Sequence, residues 1–284
     1  MAKIPKKNVP LQPRMENSNS NIITKKPRLT IRITQGGMSF SAVDPQAENQ
    51  IVYENYVTKS GISQAANLRE AFRSNDLLAS GWTRALMMVD TPVVMIPVEM
   101  FTEESKETFY HHAITGHESD IIMHTVIPSL NVVALFSFNK DLKTVADDHF
   151  SDVKFTHVCV PVWNHLHRRS FTGVRQKLFG YFHDKQLDIC AFHQNRMKFQ
   201  NSSSASHALD AVYFLLYVWK QLGLDQRRDE LHLTGTLPEK EKMVEELKKY
   251  LKNVFVNNPT GEFNRAPITQ IKGIPYDLIT HYLK

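Results

Sequence analysis

Apolar and polar positions alternate with period two in some stretches of this chain and recur with a helical period in others. Leu29 to Thr34 and Ser39 to Asp44 flank Gln35-Gly36-Gly37-Met38, a turn of the kind that needs positive φ, so the two read as a β-hairpin. After Pro45 comes a third strand, Ile51 to Thr58. Behind a candidate cap at Ser60, Ile62, Ala65, Ala66 and Phe72 form a helical apolar stripe, and Arg84 to Asp90 is a fourth strand. The order is β-β-β-α-β. From Val93 the pattern changes to a strand reaching Met100, a helix from Glu103 to about Ile114 capped by Thr102, and a strand from Ile121. Residues 93–131 therefore read as an insertion. Val132 to Phe138 is a continuous apolar run, the form of a strand covered on both faces. It leads into a helix with Leu142, Val145, Ala146 and Phe150 on one side, which closes a first lobe.

Val153 to Val158 reads as a strand ahead of a linking helix from about Val162 to Arg169, and then the opening order returns. Val174 to Phe182 and Leu187 to His193 flank the turn His183-Asp184-Lys185-Gln186, and Arg196 to Asn201 is the third strand. An almost wholly apolar helix, Ala208 to Trp219, is capped within Ser202 to Ser206, and Glu230 to Thr234 is the fourth strand. Thr236-Leu237-Pro238-Glu239 fits a capping box ahead of an amphipathic helix whose inward stripe is Met243, Val244, Leu247, Tyr250 and Leu251. The recurrence of one unit outweighs any single strand assignment. It predicts a basic tail over residues 1–28, a first lobe over 29–152 and a second over 153–284, with the C-terminal helix packing back on the first lobe.

A content of 42% hydrophobic and 22% charged residues in 284 suits two cores. The net charge of +5 invites a nucleic-acid reading, but residues 1–28 carry seven cations against Glu16, a local +6 that leaves −1 for the rest. With Pro5, Pro10, Pro13 and Pro27 and no apolar period, that stretch predicts a flexible tail, the one place where salt-dependent nucleic-acid association is expected. No apolar core of a secretory signal follows it, so the chain is expected in the cytoplasm. Cys159 and Cys190 lack Cys-x-x-Cys spacing and read as core residues in a reducing compartment. Ile121 to Asn139 lacks Asp, Glu, Lys and Arg but is broken at Pro128-Ser129-Leu130-Asn131. Ala208 to Trp219 is interrupted by Asp210 and falls short of the ~20 residues a bilayer needs, so no membrane insertion is expected.

The duplicated unit resembles the actin, Hsp70 and sugar-kinase superfamily, which implies an α/β, two-lobed actin-like ATPase (ribonuclease H-like) fold. The insertion further resembles the bacterial cell-division actin and the cytoplasmic assembly proteins of type IV pili and type II secretion. More closely, five stretches resemble a bacterial family, domain of unknown function 3822, over about residues 29–284. They are Phe40-Ser41, Ala66-Asn67-Leu68-Arg69-Glu70-Ala71-Phe72, Val89-Asp90-Thr91-Pro92, Asn131-Val132-Val133-Ala134-Leu135-Phe136 and Asn139-Lys140-Asp141-Leu142. That resemblance carries a fold and no established activity.

The superfamily resemblance implies ATP held between the lobes. Two Asp-x-Gly-x-x-Ser/Thr hairpin turns cradle the phosphates with backbone amides, their carboxylates organise Mg²⁺, and a Gly-Gly pair receives the adenosine. Here the first hairpin, Thr34-Gln35-Gly36-Gly37-Met38-Ser39, keeps a glycine and a hydroxyl but has Thr34 for the aspartate. The second puts Phe182 at the aspartate, Asp184 at the glycine and Asp188 at the hydroxyl, and two acids there repel phosphate unless a cation intervenes. At the adenosine, Leu233-Thr234-Gly235-Thr236 has one glycine. Thr34, Gly36, Gly37, Ser39, Asp184, Thr234 and Gly235 are thus the candidate cofactor-binding residues of vestigial nucleotide loops, with weak ATP and Mg²⁺ at most and no ATPase or kinase turnover. Gly36-Gly37 and Gly235 also read simply as turn glycines.

Other constellations are weaker. His111, His112, His117, His124, His165 and His167 lack His-x-x-x-His spacing, so no metal site is predicted. Ser202-Ser203-Ser204 lacks a nucleophile elbow, and Trp163 to Arg169 reads as a packed helix rather than a nucleic-acid surface. The reading that results is a non-catalytic binding or scaffold protein with an unidentified protein partner. The alternatives are a divergent ATP-binding protein or ATPase, and nucleic-acid association through the tail.

Overall fold

The computed structural model describes residues 27–283. The predicted tail lies outside these but for Pro27 and Arg28, and Arg28 is anchored, its guanidinium donating to the carbonyls of Ala85 (3.1 Å) and Asp152 (2.9 Å). The first half runs β1 (Leu29–Thr34), β2 (Gly37–Val43), β3 (Ile51–Tyr56), α1 (Gln64–Ser74), α2 (Asp76–Ala79) and β4 (Arg84–Val89). It continues with β5 (Val93–Pro97), α3 (Lys106–Ala113), β6 (Ile121–Ile127), β7 (Val132–Phe138), α4 (Lys140–His149) and β8 (Asp152–His157). After α5 (Cys159–Ser170) come β9 (Lys177–His183), β10 (Gln186–His193), β11 (Arg196–Ser204), α6 (Ala208–Gln221) and β12 (Glu230–Gly235). The chain then runs through α7 (Lys240–Lys248), β13 (Val254–Val256), α8 (Pro259–Glu262) and α9 (Tyr276–Tyr282).

Two five-stranded sheets carry the same order, β3-β2-β1-β4-β8 and β11-β10-β9-β12-β13, while β5-β7-β6 forms a separate antiparallel sheet. In each large sheet the first three strands form an antiparallel meander, and the other two run parallel to the first. Side-chain alternation then sorts the chemistry. Leu29, Ile31 and Ile33 of β1 pack on Leu68 of α1 and Leu142 of α4, and Leu178 and Phe182 of β9 pack on Leu215 of α6. Each such side chain taken out of water contributes roughly 1.5–3 kcal/mol. The opposite faces look toward one another across α5 and α9, where Trp163, Leu166, Phe179, Tyr181 and Tyr276 share a core. Arg32, Thr34, Tyr181 and His183 alternate onto those inner faces, so polar groups are aimed between the lobes. Among the described residues no helix is long and apolar enough to cross a membrane.

Several sequence expectations are corrected. The strand at 152–157, expected to open the second lobe at residue 153, pairs with β4 in the first sheet, with Arg84 opposite Asp152 and Val89 opposite His157. β7 is buried along its whole length as its composition predicts, but it joins β5 and β6, so the inserted sheet runs past residue 131. The cap of α1 is Ser63, accepting from Ala66 N at 3.1 Å, rather than Ser60. Ser202 to Ser204 lie in β11 and do not cap α6. That helix has no side-chain cap at His207, and Glu239 Oε1 accepts from Ala208 N at 3.2 Å. Glu239 itself adopts the left-handed conformation, φ 40°, and leaves α7 without the predicted capping box.

Candidate functional site

The site lies where the β1–β2 and β9–β10 turns meet. Pairing registers fix the equivalence of the two hairpins: Thr34 is opposite Gly37, and His183 is opposite Gln186. His183, not Phe182, therefore stands at the position of Thr34, Lys185 at that of Gly36, and Asp188 at that of Ser39. Asp184 moves to the place of Gln35, one residue from the glycine position that sequence spacing gave it. The slip arose because Asp184 and Lys185 are both left-handed, φ 45° and 65°, and make a two-residue turn without glycine.

A cleft of about 380 Å³ runs beside these turns, bordered by Thr34, Gly36, Gly37, Ser39, Asp184 and Gly235. Thr234, the seventh candidate, is buried in β12 and does not border it. The turns approach so closely that a Cβ on Gly36 would lie 2.1 Å from Asp184 Oδ1. Gly235 closes the other side. Its φ is +90°, a Cβ there would lie 2.0 Å from the Phe182 carbonyl oxygen, and that oxygen accepts from Thr236 N at 2.9 Å.

Charged groups fill the space between the turns. Arg32 Nε reaches both carboxylate oxygens of Asp277 on α9 at 2.9 Å, and its Nη2 donates to Asp184 Oδ2 at 2.9 Å. Asp277 also accepts from Tyr181 at 2.8 Å, and burial together with the Asp277 charge pushes that phenol well up. Beside this group His183 Nε2 lies 2.6 Å from Asp188 Oδ2, while its Nδ1 faces Asp90 Oδ2 at 3.5 Å and Asp184 Oδ2 at 3.7 Å. Burial opposes protonation of His183, but Asp184, Asp188 and Asp90 outweigh it and raise the imidazole to about 10. Burial by contrast raises the Asp90 carboxyl and lowers the His157 imidazole. Asp188 accepts further from the Ser202 hydroxyl and Cys159 Sγ. Both cysteines are free and buried. A phosphate placed between the turns would meet the Asp184 carboxylate, while Arg32 is already paired with two acids.

A second polar knot holds the helices between the sheets. Glu262 of α8 accepts from His165 Nε2 (2.8 Å), Arg169 and Tyr276 (2.9 Å). Burial opposes its ionisation, yet the His165 hydrogen bond and the Arg169 charge outweigh that and hold the carboxyl below its usual range. Glu262→Gln is expected to cost about 3 kcal/mol at neutral pH. Because the folded pKa is lowered, the contribution is complete above about pH 4.3, the unfolded value, and disappears as pH falls through the folded one. Denaturant unfolding of both proteins across pH 2.5–7 checks this: their curves should converge at the acid end, and a constant gap would refute the assignment.

Sequence reasoning missed Arg32, Asp277, Asp90 and His183. Arg32 sits among apolar residues in a strand whose every position is buried, a signal that it needs an acid partner. Nothing in the sequence points to Asp277, which lies 245 positions away.

That strand order, repeated in each half around two helices, is the actin-like ATPase fold. A Bacteroides thetaiotaomicron VPI-5482 protein with this fold and unknown function has a crystal structure that matches at 30% identity and a TM-score of 0.75. The match covers 88% of this chain and 98% of that one. The chain belongs to the family described as protein of unknown function (DUF3822), whose model matches residues 16–254. Similarity extends to the PilM–PilN type IV pilus biogenesis complex, with 9% identity, TM-score 0.54 and coverage of 82% and 89%. It extends also to the cytoplasmic domain of EpsL, an inner membrane component of the type II secretion system of Vibrio cholerae, with 10% identity, TM-score 0.39 and coverage of 75% and 83%. No curated protein matches the chain.

Proposed function

We propose that this protein is a non-catalytic binding or scaffold protein, a pseudo-ATPase whose own charges take the phosphate position between the turns and whose lobes offer a fixed surface to a protein partner. The observation that carries the reading is the Asp184 carboxylate, lodged against Gly36 between the two turns and bonded to Arg32. An anion of the chain stands where the fold would place an anion of the ligand. Neither turn carries the Asp-x-Gly aspartate: Thr34 and His183 occupy its two positions. PilM, a structurally similar protein, occurs in complex with PilN, which supports a protein as the partner.

The test is a thermal melt with and without millimolar Mg-ATP and Mg-ADP. Nucleotide at 100 times its Kd would add about 2.7 kcal/mol and raise Tm by several degrees. No shift is expected in the wild type. A second reading, a divergent ATP-binding protein, is favoured by the cleft itself, which Gly36, Gly37, Ser39 and Gly235 still border. A reproducible wild-type shift, abolished by Gly36→Val, would establish that reading and end the scaffold one.

A further inference from the structure

We propose that Asp90 Oδ2, His183 Nδ1 and Asp184 Oδ2 form a three-ligand site for a divalent transition-metal cation of the Zn²⁺ class, bridging the end of β4 to the β9–β10 turn. The inference is independent of the scaffold reading, since it needs neither nucleotide nor a partner.

The first argument is distance. Nδ1 lies 3.5 Å from Asp90 Oδ2 and 3.7 Å from Asp184 Oδ2, and all three ligand atoms lie within 4.8 Å of one another. These separations are long for hydrogen bonds. They match neighbouring ligands on a tetrahedral cation, which at metal–ligand distances near 2.1 Å stand about 3.4 Å apart. The second argument is orphaned polarity. His183 is only 5% exposed, and among the described residues neither its Nδ1 nor Asp90 Oδ2 makes a hydrogen bond. Held only by the charge between them, this nitrogen and this carboxylate oxygen face one gap, and a cation that displaces the imidazolium proton to solvent would bond to both.

The third argument is orientation. A metal-bound imidazole characteristically donates its other N–H to a carboxylate, which fixes tautomer and ring angle. His183 Nε2 does so to Asp188 Oδ2 at 2.6 Å, and Asp188 is in turn held by Ser202. The same distance excludes the alternative grouping of Cys159, His183 Nε2 and Asp188: 2.6 Å is a hydrogen bond and too short for two ligands of one cation. Asp184 Oδ2 also accepts from Arg32, so one lone pair serves the guanidinium and another the cation.

One nitrogen and two carboxylate oxygens favour Zn²⁺, Co²⁺ or Mn²⁺ over Mg²⁺ and Ca²⁺, and three protein ligands leave a fourth position for water or an external donor. Asp90 borders a second cavity of about 250 Å³, and His183 and Asp184 border the main cleft, so an ion has a way in. Sequence spacing could not reveal the site, because its ligands come from a strand end and a hairpin 93 positions apart.

The full chain, stripped with EDTA, is titrated with Co²⁺ and followed by visible absorption, with Zn²⁺ competition. One equivalent should bind with the intense bands of tetrahedral cobalt and be displaced by Zn²⁺ but not by Mg²⁺. Asp90→Asn should weaken binding about 100-fold, and Asp188→Asn, which removes the orienting carboxylate, about 10-fold. His111→Ala/His112→Ala should change nothing. If Asp90→Asn fails to fold, Asp184→Asn takes its place and should lose at least about 10-fold. The proposal is overturned by the absence of a one-equivalent tetrahedral spectrum, or by a spectrum that survives these aspartate changes and vanishes in the histidine pair.

Discussion

Arg32→Met should lower Tm by about 10 °C, a loss of about 3–5 kcal/mol. Arg32 is 6% exposed and Asp277 fully buried, so removing the guanidinium leaves an anion in the core with, among the described residues, the Tyr181 hydroxyl alone to solvate it. Asp184 loses its partner at the same time, and the two lobes lose a tie. The paired variant Arg32→Met/Asp277→Leu removes both charges and should recover much of the loss, because well-packed apolar replacements of buried pairs are often neutral. A cycle of the two single variants and the double, followed by denaturant unfolding, measures the coupling. Additive losses would mean that Arg32 and Asp277 do not act as a pair.

Gly235→Val should prevent accumulation of folded protein altogether, at a cost above about 4 kcal/mol. Two effects combine: a β-branched residue is forced to φ +90°, and its Cβ is driven to 2.0 Å from the Phe182 carbonyl oxygen. That oxygen belongs to β9 at the centre of its sheet and cannot retreat without breaking the β9–β12 ladder. Gly36→Ala is the contrast. Its obstacle is the far end of the Asp184 side chain, which can rotate away, so a cost of about 1–2 kcal/mol and a folded protein are expected. Soluble yield and melting temperature of the two variants decide the matter; equal tolerance would show that the β12 end is free to shift.

The duplicated unit was legible because it is written in apolar period and turn glycine, both local signals. Val132 to Phe138 announced a doubly covered strand through its composition, although not which sheet it joins. Pairing of β8 with β4 was hidden, since parallel partners far apart leave no local mark. The second hairpin was read one residue out of register because Asp184 and Lys185 turn the chain without glycine. Glu239 looked like the far member of a capping box begun by Thr236, whereas its carboxylate accepts from Ala208 N at the start of α6. At the site, Gly36 and Gly235 could be found by type. Arg32, Asp277, Asp90 and His183 acquire meaning only when strands and helices from both halves converge.

Arg32 meets Asp277 across 245 positions, and Tyr282 reaches Thr30 and Ser41 across 252 and 241. A ribosome adding about 5–20 residues per second makes the acid roughly 10–50 s after the base. Until the β9–β10 turn supplies Asp184, 152 positions after it, Arg32 of β1 is an unpaired cation in what must become a core. The first lobe can collapse early, but it cannot be completed until α9 emerges. The core between the lobes, to which α9 contributes Tyr276 and Leu278, can therefore close only once translation has delivered that helix.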